Sequence, residues 1–105
     1  MEVIYKGTLY TVPIVSPKPI DGARLYNLAT QSYIDTTLAA KNNGQQTNGM
    51  YEYDMTLSPT DTASIPQGIY NLELFSKDSS DQPIIEAYYE KYAKVKESSF
   101  TKDYA

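Results

Sequence analysis

Two alternating runs, "MYEYDMTL" at residues 50–57 and "IYNLELFS" at 69–76, flank the connector "SPTDTASIPQG". In the first run Tyr51, Tyr53, Met55 and Leu57 fall on one face and Glu52, Asp54 and Thr56 on the other. In the second, Tyr70, Leu72 and Leu74 oppose Asn71 and Glu73. A period of two predicts half-buried strands that each give one face to a core. Ser58-Pro59 ends the first strand. Asp61 can accept a backbone hydrogen bond and start a single helical turn through Thr62, Ala63 and Ser64, near residues 61–65. Pro66 ends the turn by pushing Ile65 to extended geometry, and Gly68 permits a tight entry to the next strand.

A strand, one crossover turn and a tyrosine just inside the following strand is the arrangement of the tyrosine corner in immunoglobulin-like sandwiches. Asp61, Ala63, Pro66, Gly68 and Tyr70 are the residues expected to build it. The expected fold is all-β: an immunoglobulin-like β-sandwich of about seven strands over residues 1–97, with 98–105 as an extended tail.

The flanking sequence fits unevenly. Residues 2–15 are rich in Val, Ile, Thr and Tyr, and Lys6-Gly7 can break them into two strands. Tyr10, Val12 and Ile14 share a face, and Pro13 predicts an edge or a bulge. "SPKPIDG", residues 16–22, reads as a turn. Residues 23–38 read as one bent strand or two, around 23–29 and 31–38, with a helical reading open for "TTLAAKN". "KNNGQQTNG", residues 41–49, reads as an exposed loop. Residues 84–97 support two readings. Ile85, Tyr88, Tyr92 and Val95 make a helical stripe. Ile85, Ala87, Tyr89, Ala93 and Val95 make a strand face interrupted by Lys91. The strand is favoured because a sandwich needs a partner for residues 69–76.

Composition narrows function by exclusion. The chain has 105 residues and a formal net charge of −4, without the basic stripe expected of a nucleic-acid binder. No apolar run is long enough to cross a bilayer as a helix, and "MEVIYKGTLY" does not read as a signal peptide. With no cysteine and no histidine, neither a thiol nor an imidazole can serve as nucleophile, base or ligand. The absence of cysteine fits folding in a reducing compartment. Glu52 and Asp54 share a strand face but are expected in solvent, which argues against a carboxylate pair doing acid–base work. "DSSD", Asp78–Asp81, could offer loop oxygens to calcium but reads equally as a polar hairpin loop. Catalytic residues, cofactor and metal are therefore all assigned as none. Eleven of the thirteen aromatic residues are tyrosine, which suits half-buried strands and interfaces alike and could also stack sugar rings. Tyr88 and Tyr92, together with Phe100 and Tyr104 in the tail, are the candidate protein-interface residues.

From "MTLSPTDTASIPQGIYNLEL" onward, over about residues 50–97, the chain resembles small immunoglobulin-like modules of tailed-bacteriophage virion proteins. These include the N-terminal module of upper-baseplate proteins and free-standing auxiliary capsid proteins. The shared pattern is carried by Asp61, Thr62, Ala63, Ile65, Pro66, Gly68 and Tyr70. Residues 1–48 carry no part of it. The resemblance implies a non-catalytic structural protein of a virion, assembled in the host bacterial cytoplasm. Its partners would be the major capsid protein, other virion proteins or copies of itself, not nucleic acid or membrane. A chain that ends after one such module is expected to be an auxiliary capsid, or decoration, protein. The alternatives are a baseplate, tail or head-fibre attachment component of the same fold, and a surface adhesin or carbohydrate-binding module.

Overall fold

Strand and turn alternate along the chain as β1 (Glu2–Tyr5), β2 (Tyr10–Ser16), β3 (Gly22–Asn27), β4 (Tyr33–Asp35), β5 (Thr37–Ala40), β6 (Tyr51–Leu57), α1 (Pro59–Ser64), β7 (Gly68–Lys77) and β8 (Pro83–Lys96). Short 3-10 turns lie at Asn42–Gly44 and Ser99–Thr101. This computed structural model describes residues 1–101. Five strands form one sheet in the order β1-β8-β7-β3-β4, and three form the other in the order β2-β6-β5. β1 runs parallel to β8, and every other neighbouring pair is antiparallel. In immunoglobulin lettering the large sheet is A′GFCC′ and the small one BED. The chain is an all-β, immunoglobulin-like sandwich, with eight strands among the described residues.

The core lies between the sheets. Ile4, Ala23, Leu25, Tyr70, Leu72, Leu74, Ala93 and Val95 from the large sheet meet Tyr53, Met55 and Leu57 from the small one. Ile20 and Ile65 add to it from the crossovers. Tyr10, Val12 and Ile14 pack against it from β2, as their shared face requires. β2 is an outer strand of its sheet, where the missing amide of Pro13 is tolerated. Residues 23–38 become three strands, and the helical reading of their end is not taken. The chain switches sheets at Thr36, whose amide and hydroxyl both donate to the Ala23 carbonyl at 2.9 Å.

β8 resolves the helix–strand ambiguity in favour of the strand, with two irregularities that periodicity could not show. Tyr70 pairs with Ala93 but Leu72 pairs with Tyr89, so residues 90–92 stand opposite Asn71 alone. Lys91 takes a positive φ of 50° at this bulge, and its amide donates to Asn71 Oδ1 at 2.8 Å. The amide freed by the bulge thus finds a side-chain acceptor, which is why Asn71 is buried although it lies on the outward phase of β7. A second shift, between Leu74 and Phe75, pairs Ile85 with Phe75. Ile85 therefore leaves the core face assigned to it and joins the outer face, because one extra residue inverts the alternation.

The helical turn begins earlier than expected. Ser58, not Asp61, is its N-cap: the Ser58 hydroxyl accepts from the Asp61 amide, and the Asp61 carboxylate accepts from the Ser58 amide, both at 3.1 Å. Pro59 fits the first helical position because its absent N–H has no partner there in any case. The buried side chain of the turn is Thr62, whose hydroxyl donates to the Thr8 carbonyl at 2.7 Å, while Ala63 is only half-buried. Ile65 is extended at φ −93°, ψ 144°. Gly68 has φ +137°, and a Cβ there would come within 3.0 Å of Asn27 Nδ2. Tyr70, fully buried, donates its hydroxyl to the Pro66 carbonyl at 2.6 Å.

This bond sets an expected ordering of variants. Tyr70→Phe keeps the ring and loses one buried hydrogen bond, an expected cost of about 1 kcal/mol. Tyr70→Ala also opens a cavity, for roughly 3–5 kcal/mol. Urea melts of the two variants against the parent check the order; equal losses would mean that the hydroxyl contributes nothing.

Candidate interaction surface

The outer face of the large sheet carries an aromatic and aliphatic patch built by strand register. Tyr33 on β4 lies opposite Tyr26 on β3, which lies opposite Asn71 on β7. One row along, Asp35, Arg24, Glu73 and Tyr88 are cross-strand neighbours. In the next row Phe75 lies between Gly22 and Ile85. Arg24 organises the patch. Its Nε and Nη2 donate to the two oxygens of Asp35 at 2.7 and 3.1 Å, and its guanidinium sits 4.0 Å from the Tyr33 ring centroid and 5.9 Å from that of Phe75. The Asp35 carboxylate raises the pKa of Arg24 further. A groove of about 330 Å³ runs beside it between Glu73, Phe75, Lys77, Pro83 and Ile85. Tyr33, Ile85 and Tyr88 are all about half exposed.

The four aromatic residues singled out from sequence do not come together. Tyr88 belongs to this patch and accepts from Asn71 Nδ2 at 2.7 Å. Tyr92 lies at the seam between the sheets, where its hydroxyl is 3.1 Å from that of Tyr10, which also donates to Glu2 Oε1 at 3.0 Å. The helical spacing that linked Tyr88 with Tyr92 is dissolved by the bulge between them. Phe100 stands apart, beside the β1–β2 turn. Where the extended tail was expected to begin, Ser99–Thr101 form a 3-10 turn. Ser98 Oγ donates to the Lys6 carbonyl at 2.5 Å. Gly7, at φ +79°, lets the Phe100 backbone approach so closely that a Cβ would meet its carbonyl oxygen at 2.3 Å. The Phe100 ring itself remains exposed. Tyr104 lies outside the described residues.

Of the corner residues, Tyr70 bonds to the Pro66 carbonyl and Asp61 to the Ser58 amide, and Lys6 Nζ adds a bond to the Ile65 carbonyl at 2.5 Å. The Asp78 carboxylate accepts from the amides of Ser80 and Gln82 at 2.8 and 2.9 Å, so it is spent on its own hairpin loop. Among the described residues, no group of three or more acidic side chains converges on a metal-sized site. Sequence reasoning missed Arg24, Tyr33 and Phe75. Phe75 was visible as an apolar residue on the polar phase of β7, but its neighbours depend on a pairing of β7 with β3 that periodicity does not give.

No protein-family profile, curated protein or solved structure matches this chain.

Burial raises the pKa of Tyr10, reinforced by the Tyr92 hydroxyl and the Glu2 carboxylate. It also raises Tyr70, and it raises Tyr92 against the opposing effect of the Tyr10 bond. Each phenol is held neutral more firmly in the folded chain than in the unfolded one. The stabilisation is complete below the unfolded value of about 10 and is lost as pH climbs through the raised folded values. The midpoint of urea unfolding should therefore fall above about pH 10, and Tyr10→Phe/Tyr92→Phe should fall less steeply. Parallel alkaline limbs in the two proteins would show that the cluster does not couple to folding.

Proposed function

We propose that this domain is a non-catalytic structural module of a bacteriophage particle, an auxiliary protein held on the capsid lattice by its outer sheet face. The observation that carries the reading is the patch of Tyr33, Phe75, Ile85 and Tyr88 around Arg24. Aromatic and arginine side chains held rigidly on a sheet are the composition of interface centres. Here the register of three strands, a bidentate ion pair and the Asn71–Tyr88 bond fix them in place before any partner arrives. Fewer rotamers then remain to be frozen on binding. The virion setting is supported by the resemblance over residues 50–97, whose pattern residues make up the corner unit at 58–70. On a repeating lattice, many weak copies can hold together what one contact could not, provided that neighbouring copies engage at once.

The test is stoichiometry. In purified particles of a phage encoding this protein, the expected amount is close to that of the major capsid protein. A few copies per particle would move the module to a baseplate, tail or head-fibre attachment, and absence from particles would overturn the reading. Ile85→Asp alters one half-exposed side chain and leaves the Asn71–Tyr88 bond intact, so it should leave the thermal melt nearly unchanged and sharply reduce co-sedimentation with particles lacking the protein. Undiminished co-sedimentation would take the contact off this face.

A further inference from the structure

The end of the large sheet where β3 finishes and β7 begins holds a cavity of about 290 Å³. It lies at the opposite end of these two strands from the groove beside Arg24. Leu28, Ala29 and Ile69 give it an apolar wall, on which Leu28 is 63% exposed. The polar side chains of the lining are Asn27, Thr30, Gln67, Asn71 and Lys91. Three of these are already engaged. The Thr30 hydroxyl donates to Ser32 Oγ at 3.0 Å, and Gln67 Nε2 donates to Glu97 Oε2 at 2.7 Å. The Asn71 amide is used at both ends, by Tyr88 and by the Lys91 amide. The Lys91 side chain is exposed and, among the described residues, pairs with no carboxylate. Asn27 differs from the rest. It is 1% exposed, and among the described residues no acceptor reaches its Nδ2. Turning the amide round does not help. Its Oδ1 accepts from the amides of Ala29 and Thr30 at 2.9 and 3.2 Å, so an exchanged amide would set Nδ2 against two N–H donors. Gly68 opens the way to this donor. A Cβ built on Gly68 would lie 3.0 Å from Nδ2, and apart from the glycine's own chain neighbours only the Asn27 amide comes within 4 Å of that point. An oxygen just outside it is within hydrogen-bond range of Nδ2. The unpaired donor therefore faces the bare side of Gly68, which is itself part of the cavity wall.

We infer that this cavity binds a small aliphatic carboxylate, with one oxygen accepting from Asn27 Nδ2 and the hydrocarbon tail lying on Leu28 and Ile69. The site is additional to the proposed contact on the outer sheet face and does not depend on it. Three features select the ligand. A buried donor without a partner is unfavourable, and an acceptor brought by a ligand relieves it. Among the described residues the lining carries one charged side chain, Lys91, and no carboxylate, so an anion is favoured over a cation. The exposed apolar wall takes a hydrocarbon chain out of water and leaves few polar groups to orient it, which is the usual balance of a small-molecule site.

The probe is sodium hexanoate, titrated at neutral pH into the full chain with backbone amide shifts as the readout. The expected result is saturable shifts centred on residues 27–30, 67–71 and 91. Acetate lacks the tail, and hexylammonium puts a donor where the acceptor should be; each should bind at least tenfold more weakly. Lys91→Gln changes an exposed side chain, so it should weaken hexanoate binding several-fold with an unchanged melt. Asn27→Asp keeps an oxygen for the Ala29 and Thr30 amides and replaces the free donor with a second oxygen, so it should abolish binding. Should Asn27→Asp fail to fold, the ligand series on the parent chain and Lys91→Gln decide. The inference is overturned if hexanoate gives no saturable shifts at the cavity, if hexylammonium binds as tightly, or if the folded variants bind hexanoate as the parent does. Ile85→Asp, at the other end of the sheet, separates this site from the particle contact. It should bind hexanoate like the parent while losing co-sedimentation, so either reading can fail without the other.

Discussion

The hydrogen bond from the Tyr70 hydroxyl to the Pro66 carbonyl fixes the point at which the chain leaves one sheet and enters the other. A sandwich must make such a transfer several times, and each transfer strands backbone groups at the end of a ladder. At this one, α1 satisfies its own first turn through the reciprocal Ser58–Asp61 bonds, and Thr62 and Lys6 tie the crossover to the β1–β2 region. Tyr70 closes the unit from below while its ring fills the core. This arrangement ties the crossover that joins the small sheet to the large one.

Tyrosine performs the same task elsewhere. The Tyr53 hydroxyl accepts from the Ile20 amide at 3.1 Å and so holds the β2–β3 crossover. Tyr10 and Tyr92 meet Glu2 at the seam where β1 passes to β2. A ring long enough to reach from the core to the rim, with a polar tip, can pack and tie at once. This accounts for part of the tyrosine content that composition alone left divided between core and interface. Tyr26, Tyr33 and Tyr88, by contrast, lie on the outer sheet face. The two uses are separated by strand alternation.

The buried asparagines show how irregular strands are accommodated. Asn71 satisfies the bulged amide of Lys91 and orients Tyr88. Asn27 accepts from the amides of Ala29 and Thr30 and so shapes the β3–β4 turn. Its Nδ2 lies against Gly68 without a hydrogen bond of its own. Gly68 is thus constrained twice, by its positive φ and by the space that Asn27 occupies.

The sequence by itself determined the parts whose signal is local. Alternation in 51–57 and 69–76 gave two core strands and their buried faces. Ser58, Pro59, Pro66 and Gly68 gave the crossover, because each of these residues restricts or frees its own backbone. Only the tertiary structure decided the rest. Asp61 was expected to start the helical turn, and the reciprocal bonds place Ser58 as its cap instead. In β8 the helical and extended patterns fitted equally well, and pairing with β7 chose the strand. The same pairing put the bulges at 86 and 90–92, which turned Ile85 outward and parted Tyr88 from Tyr92. The interaction patch was illegible for the same reason. Arg24, Tyr33, Phe75 and Ile85 are neighbours only through the registers β3–β4, β3–β7 and β7–β8, and register is a relation between distant segments that no single segment encodes.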